Sequence, residues 1–189
     1  DVVLVQSDLL QVGPVEAGRN REDILEFYLT AFQEVLTSEG TLAVLTAFED
    51  YGWIGTPFIR EESPSRSGVF SEYVRTRPGA VRSMHPIASI TGLGRQAEEI
   101  CGGPHYDGYG YDSPWGRLHR LNARIMTFGY GFRPDGMTFL HYVENLYGVP
   151  YLYTKIFEVP VYSEGIEATG PFTMSVRYLD YGITQDQSK

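Results

Sequence analysis

Residues 2–48 read VVLVQSDLLQVGPVEAGRNREDILEFYLTAFQEVLTSEGTLAVLTAF, and this stretch decides the fold class. Its opening run VVLVQS (2–7) is apolar and of strand length. QVGPVEAG (11–18) is a Gly/Pro loop. In the next segment, 20–40, Ile24, Leu25, Tyr28, Leu29, Phe32, Val35 and Leu36 recur at helical spacing. Asn20 stands at the N-cap position, Asp23 where a capping-box carboxylate reaches back, and Gly40 where the helix should end. TLAVLTAF (41–48) is a second strand. A strand, a long helix and a strand with few breaks make a βαβ unit and predict parallel pairing.

Beyond that unit the pattern stays mixed. Glu49 to Ser67 is rich in Gly and Pro and reads as a long loop, a common place for function. SGVFSEYVRTR (67–77) predicts a short helix capped by Ser67, and RQAEEIC (95–101) another. Between them, 79–94 is extended and broken by Pro86, while 102–116 is loop by composition. ARIMTFGYG (123–131) is the clearest third strand, and MTFLHYVENLYG (137–148) is a helix. The runs 152–162 and 171–179 predict an antiparallel pair. The expected fold is α/β: a single domain over 1–189 with a mixed, mostly parallel central sheet, helices on both faces and antiparallel C-terminal strands.

Composition narrows the function classes. The chain has 189 residues with 42% hydrophobic content, enough for a real core. No run approaches the roughly 20 apolar residues of a membrane helix. No leader-like segment is evident, and the single Cys101 fits a reducing compartment, so a cytoplasmic protein is expected. A net charge of −9 argues against nucleic acid and suits a cationic small molecule. The histidines show no metal spacing, so no metal site is expected.

In the last helix, His141 and Glu144 sit three residues apart, hence on one face. Such a pair suits general-base chemistry: a histidine is suited to take a proton, and a carboxylate on the other ring nitrogen steadies the imidazolium. The bland alternative is a histidine capping a core helix beside a solvated glutamate.

Several segments, taken in order, carry a resemblance. They are VVLVQSDLLQVG, EGTLAVLTAF, ESPSRSGVFSEYVRTRPGAVRSMHPIASITGLG, PHYDGYGYDSPWGRL, RIMTFGYGF and TFLHYVE, with a looser match through VRYLDYGI. Together they resemble the aminoglycoside 3-N-acetyltransferase family, which uses acetyl-coenzyme A. The resemblance implies direct acetyl transfer to an amino group of an aminoglycoside, with His141 as the base and Glu144 orienting it or receiving the cationic acceptor. It implies a coenzyme channel lined by Ser7 and Asp8, by Ser65, Arg66 and Ser67, and by Arg82, Ser83, His85 and Ser89. Asp107, Tyr109 and Asp112 are the expected acceptor contacts, through carboxylate–ammonium pairing and ring stacking. Family members commonly have histidine where this chain has Gln6, and they are usually longer, so either part of the C-terminal acceptor region is absent or that region is not in this sequence. An amino sugar of polysaccharide or natural-product biosynthesis is the alternative acceptor, and a non-catalytic sugar- or coenzyme-binding module the alternative class. The expected partner is a cationic amino-sugar, with no nucleic acid and no membrane; homodimerisation stays open.

Overall fold

The computed structural model describes residues 1–13, 15–16, 18, 20–130 and 137–178. In chain order the first elements are β1 (Val2–Ser7), a 3-10 turn (Leu9–Gln11), α1 (Arg21–Leu36), β2 (Thr41–Leu45), α2 (Asp50–Ile54), β3 (Phe58–Ile59), α3 (Val69–Arg75) and β4 (Val81–Arg82). There follow β5 (Ile90–Gly94), α4 (Ala97–Cys101), α5 (Pro114–Arg120), β6 (Arg124–Phe128) and α6 (Phe139–Tyr147). The last four are β7 (Leu152–Phe157), β8 (Val161–Ser163), β9 (Ile166–Glu167) and β10 (Phe172–Arg177).

The main sheet runs β4-β5-β2-β1-β6. β1 pairs parallel with β2, completing the expected βαβ unit, and parallel with β6 on its other side. β5 is antiparallel to both β2 and β4. The sheet is therefore mixed, with its ladders divided evenly between the two directions. The reason lies in residues 79–94, where the break around Pro86 turns one extended run into a hairpin. Ser83 closes that hairpin: its N–H donates to the Ile90 carbonyl and its Oγ accepts the Ile90 N–H, both at 2.9 Å.

Period-two alternation decides what each face buries. Leu4 and Ala43 point to one side, where Ile100, Trp115, Leu118 and Tyr142 cover them. Val5, Leu42 and Val44 point to the other and meet Leu25, Leu29, Phe70 and Val74 from α1 and α3. Both faces thus carry helices. α1 begins as the sequence predicts: Asn20 Oδ1 accepts the Asp23 N–H at 2.9 Å while its Nδ2 donates to the Asp23 carboxylate. It ends at Leu36, short of Gly40, because Thr37 takes a left-handed φ of 58°.

Local differences from the sequence reading have local causes. α3 has Gly68 at its N-cap instead of Ser67, whose hydroxyl accepts the Ala47 N–H at 3.0 Å. α5 emerges from the segment read as loop, because Ser113 caps it and Pro114 occupies its first turn. The long loop after Glu49 contains α2 and β3. At the C-terminal side β7 and β10 pair antiparallel from Leu152↔Arg177 to Phe157↔Phe172, as expected. Val161–Ser163 leaves that pair and joins β3 and β9 in a second, three-stranded sheet. A third apolar cluster, with Phe48, Tyr51, Phe58, Phe157 and Phe172, fastens this region to the domain. The LDYGI portion of the looser family match (179–183) and the segment 131–136 lie outside the described residues. Among the described residues no helix is long and apolar enough to cross a membrane.

Arg82 is a structural residue of this fold. Its guanidinium is buried, lies 4.7 Å from the Phe58 ring centre, and donates to the carbonyls of Thr46, Arg60 and Ser63. It thereby ties the β4 hairpin to the end of β2 and to the turn that leads into Ser65–Gly68. Burial, followed by the charge of Arg75, pulls its pKa down to about 9, so it is still a cation at neutral pH. Replacing it with methionine leaves three carbonyls without their donor. Arg82→Met is expected to lower the unfolding free energy by about 3 kcal/mol, since buried polar groups left unsatisfied cost roughly 1–3 kcal/mol. Urea denaturation of the two proteins measures it, and a change below about 0.5 kcal/mol would contradict the assignment.

Candidate active site

The three strands that run parallel end together: β1 at Ser7, β2 at Leu45 and β6 at Phe128. Ligand sites in open α/β sheets gather beyond such ends, and two adjoining clefts open there. The first, of about 640 Å³, is lined by Ser7, Asp8, Arg66, Ser67, Gly68 and Tyr130 among others. The second, of about 560 Å³, is lined by Tyr109, His141, Glu144, Lys155, Met174 and Arg177 among others. Leu45, Glu49 and Thr138 belong to the walls of both, so the two clefts meet at the end of β2 and the start of α6.

His141 and Glu144 do touch. His141 Nδ1 lies 3.1 Å from Glu144 Oε2. The same carboxylate accepts the Tyr151 hydroxyl at 2.9 Å and the Arg177 guanidinium at 3.1 Å. Burial pushes the Glu144 carboxyl up, but the bonds from His141 and Tyr151 and the charge of Arg177 outweigh it and hold the group below its ordinary value. Glu144 is therefore a fixed anion at neutral pH. Its bond to Nδ1 settles the ring's orientation and leaves Nε2 as the nitrogen able to take a proton. The Tyr109 ring packs against the imidazole, 5.7 Å between centres, and itself rests on Trp115.

α6 is anchored to the sheet by Gln6. Its side chain donates from Nε2 to Thr138 Oγ1 at 2.7 Å and accepts the Thr138 N–H at 3.1 Å. This two-point clasp satisfies one of the donors that a helix start leaves unpaired. It also fixes the entry of the helix that carries His141 at the tip of β1.

The other expected site residues separate by place. Ser7, Asp8, Arg66 and Ser67 come together on the first cleft. Arg66 is over half exposed and donates to Asp50 at 2.7 Å. Ser65 supports the loop from behind: its N–H goes to Glu72 and its hydroxyl accepts the Ser67 N–H. Arg82, Ser83, His85 and Ser89 line neither of the two clefts and face inward. Ser89 Oγ donates to the Thr46 carbonyl, while His85 Nδ1 accepts the Ala88 N–H and its Nε2 meets the Thr173 carbonyl at 3.0 Å. Burial lowers the His85 pKa to about 3, so the ring is neutral. These four polar groups serve the hairpin and its seat. Of the expected acceptor contacts only Tyr109 faces the second cleft. Asp107 turns its carboxylate back onto the Tyr109 N–H, and Asp112 is exposed near Arg120.

The sequence reading missed Thr138, Lys155 and Arg177, which line the second cleft, and Tyr151, which bonds Glu144 there; Glu49 opens the loop it marked as a place for function. Arg177 lies 33 positions from Glu144, and no local spacing announces it. Cys101 is fully buried and its thiol is pushed up to about 12 by burial, which removes it as a nucleophile. Among the described residues no group of three or more His, Cys, Asp or Glu side chains is placed to hold a metal ion.

Comparison with known proteins places these features in a family. The family model described as aminoglycoside 3-N-acetyltransferase matches residues 4–187. Aminoglycoside N(3)-acetyltransferase VII of Streptomyces paromomycinus is 30% identical over 184 residues, covering 87% of this chain and 61% of that protein. Aminoglycoside N(3)-acetyltransferase III of Pseudomonas aeruginosa is 24% identical over 181 residues, covering 86% and 64%. The chain thus spans about three fifths of the length of these curated relatives. Among solved structures, that of aminoglycoside acetyltransferase AAC(3)-Xa superposes with a TM-score of 0.79 at 25% identity, covering 99% of this chain and 71% of that one. The structure of AAC-IIIb binary with CoASH gives 0.76 at 24% identity, covering 94% and 69%.

The Glu144 bonds have a pH signature. A carboxyl held below its ordinary value of 4.5 in the folded state contributes stability above that value and loses it as pH falls through the folded pKa. Glu144→Gln is expected to cost about 2 kcal/mol at pH 7, from the range for charged hydrogen bonds. The cost should shrink steadily below pH 4.5. Thermal melts of both proteins across pH 3–7 test it, and a gap that stays constant with pH would refute it.

Proposed function

The chain belongs to the aminoglycoside 3-N-acetyltransferase family, and from that premise we propose that it transfers an acetyl group from acetyl-coenzyme A to an amino group of a sugar-like acceptor, with His141 as general base. The observation that carries this reading is one arrangement: a carboxylate-bound histidine on a cleft that adjoins a second cleft lined by Arg66, Ser7 and Ser67.

The first cleft suits the coenzyme in its donor set. The Arg66 guanidinium has five N–H donors and spends one of them on Asp50, leaving others for phosphate oxygens. The hydroxyls of Ser7 and Ser67 add short-range donors on the same wall. Acetyl-coenzyme A supplies, when bound, the thioester carbon that the amine attacks. The meeting of the clefts at Leu45, Glu49 and Thr138 is the natural place for that carbon.

The work of the chain's own residues is proton transfer. An acceptor amine enters beside His141 and gives its proton to Nε2 as its lone pair forms the new bond. The imidazolium that results is held by Glu144, whose charge is kept in place by Tyr151 and Arg177. The proton is then available to the departing thiolate. No acyl-enzyme is needed, consistent with the burial of Cys101.

Two variants test this. His141→Ala is expected to cut turnover by about 10² or more, the usual worth of a general base, with coenzyme binding nearly unchanged. Release of free thiol from acetyl-coenzyme A measures the first and calorimetric titration with coenzyme A the second. Full turnover in His141→Ala removes the base from the scheme. Cys101→Ala should keep its turnover within about twofold, and ping-pong kinetics would overturn direct transfer.

A further inference from the structure

The second cleft carries a charge pattern that bears on which acceptor it takes. Four of the side chains lining it are formally charged: Glu49, Glu144, Lys155 and Arg177. Glu144 and Arg177 bond to each other, and Glu144 also holds His141 and Tyr151. That leaves Glu49 and Lys155. Glu49 is exposed, has no side-chain hydrogen bond or ion pair to another described residue, and stands where the two clefts meet. Lys155 lies on β7 opposite Met174, also without a carboxylate partner among the described residues; its ammonium sits 4.9 Å from the centre of the Phe157 ring. The two aspartates that would have made the site acidic, Asp107 and Asp112, line neither cleft.

From this we infer that the acceptor is an amino sugar that also bears an anionic group, a phosphate or a carboxylate, with its ammonium received by Glu49 and its anion by Lys155. The inference rests on the reading of the second cleft as the acceptor site. Among the described residues, a compound with several ammonium groups finds one uncommitted carboxylate on this cleft and must face a lysine. A dipolar acceptor finds a partner for each end. In a protein of net charge −9, a cleft whose described lining residues sum to no net charge is a local departure that suits such a ligand. Charges placed this way discriminate between ligands more than they raise affinity, because the wrong ligand meets repulsion. Glu49 and Lys155 are specificity residues in this assignment, and neither takes part in the proton transfer at His141.

The test uses the whole chain, acetyl-coenzyme A and three amines: glucosamine 6-phosphate, glucosamine, and the polycationic sisomicin; glucosaminuronic acid, the carboxylate counterpart, distinguishes the two anions. The expected result is a kcat/KM at least tenfold higher for an anion-bearing sugar than for glucosamine. Lys155→Glu should remove that advantage through KM, with kcat changed less than threefold, and improve the use of sisomicin. Equal kcat/KM for glucosamine and both anionic sugars, or an advantage that survives Lys155→Glu, overturns the inference while leaving acetyl transfer intact. Should no amine release thiol, the proposed activity fails, and calorimetric titration with glucosamine 6-phosphate and with glucosaminuronic acid still decides the charge assignment. Binding of either that Lys155→Glu weakens at least tenfold supports it, and binding that is absent for both or unaffected refutes it.

Discussion

The structure depends on one constraint: β1 is paired in parallel on both of its edges, with β2 and with β6. Three carboxyl ends must then lie side by side, and whatever follows each strand is delivered to the same place. β1 ends in Ser7 with Asp8 following, β2 leads to Glu49, and β6 leads to Tyr130. The parallel arrangement requires crossovers that cover both faces of the sheet. α1 supplies one of them, and its apolar stripe of Leu25, Tyr28 and Leu29 is buried for that reason. Fold and site follow from the same pairing.

A second level of order comes from polar groups that hold loops and helices in register. Gln6 clasps Thr138 and sets where α6 begins. Arg82 gathers three carbonyls and sets where the 60–67 turn runs. Glu72 accepts the Ser65 N–H while paired with Arg75, which steadies the loop bearing Arg66 and Ser67. None of these residues is available to a ligand to the degree that their chemistry suggests on paper. Most of their donors and acceptors are spent on the fold, and the site inherits its geometry from them.

Glu144 shows how far a single carboxylate can be committed. It meets a histidine one helical turn away, a tyrosine just past the helix, and an arginine on β10. Its proton affinity falls because these partners outweigh the burial. A carboxylate so engaged can orient and stabilise an imidazolium but has little left for an incoming ammonium. Among the described residues, the uncommitted charges on the second cleft are those of Glu49 and Lys155.

The sequence by itself determined the parts whose cause is local. Apolar runs and helical spacing located β1, α1, β2, β6 and α6, since burial of one face imposes a period that can be read directly. The capping of α1 by Asn20 was equally legible, and so was the placing of His141 and Glu144 on one helix face, while their contact came from the structure. Family resemblance supplied the chemistry to attach to them. What only the tertiary structure decided is which polar side chains face a cleft and which are consumed inside. Ser67 and Ser89 look alike in sequence, yet one lines the first cleft and the other is sealed against Thr46. Tyr151, Arg177 and Lys155 join the site through strand pairing and chain reversal over long separations. Such contacts leave no periodic trace in a sequence, since they arise from where the backbone is carried and not from the spacing of the residues themselves.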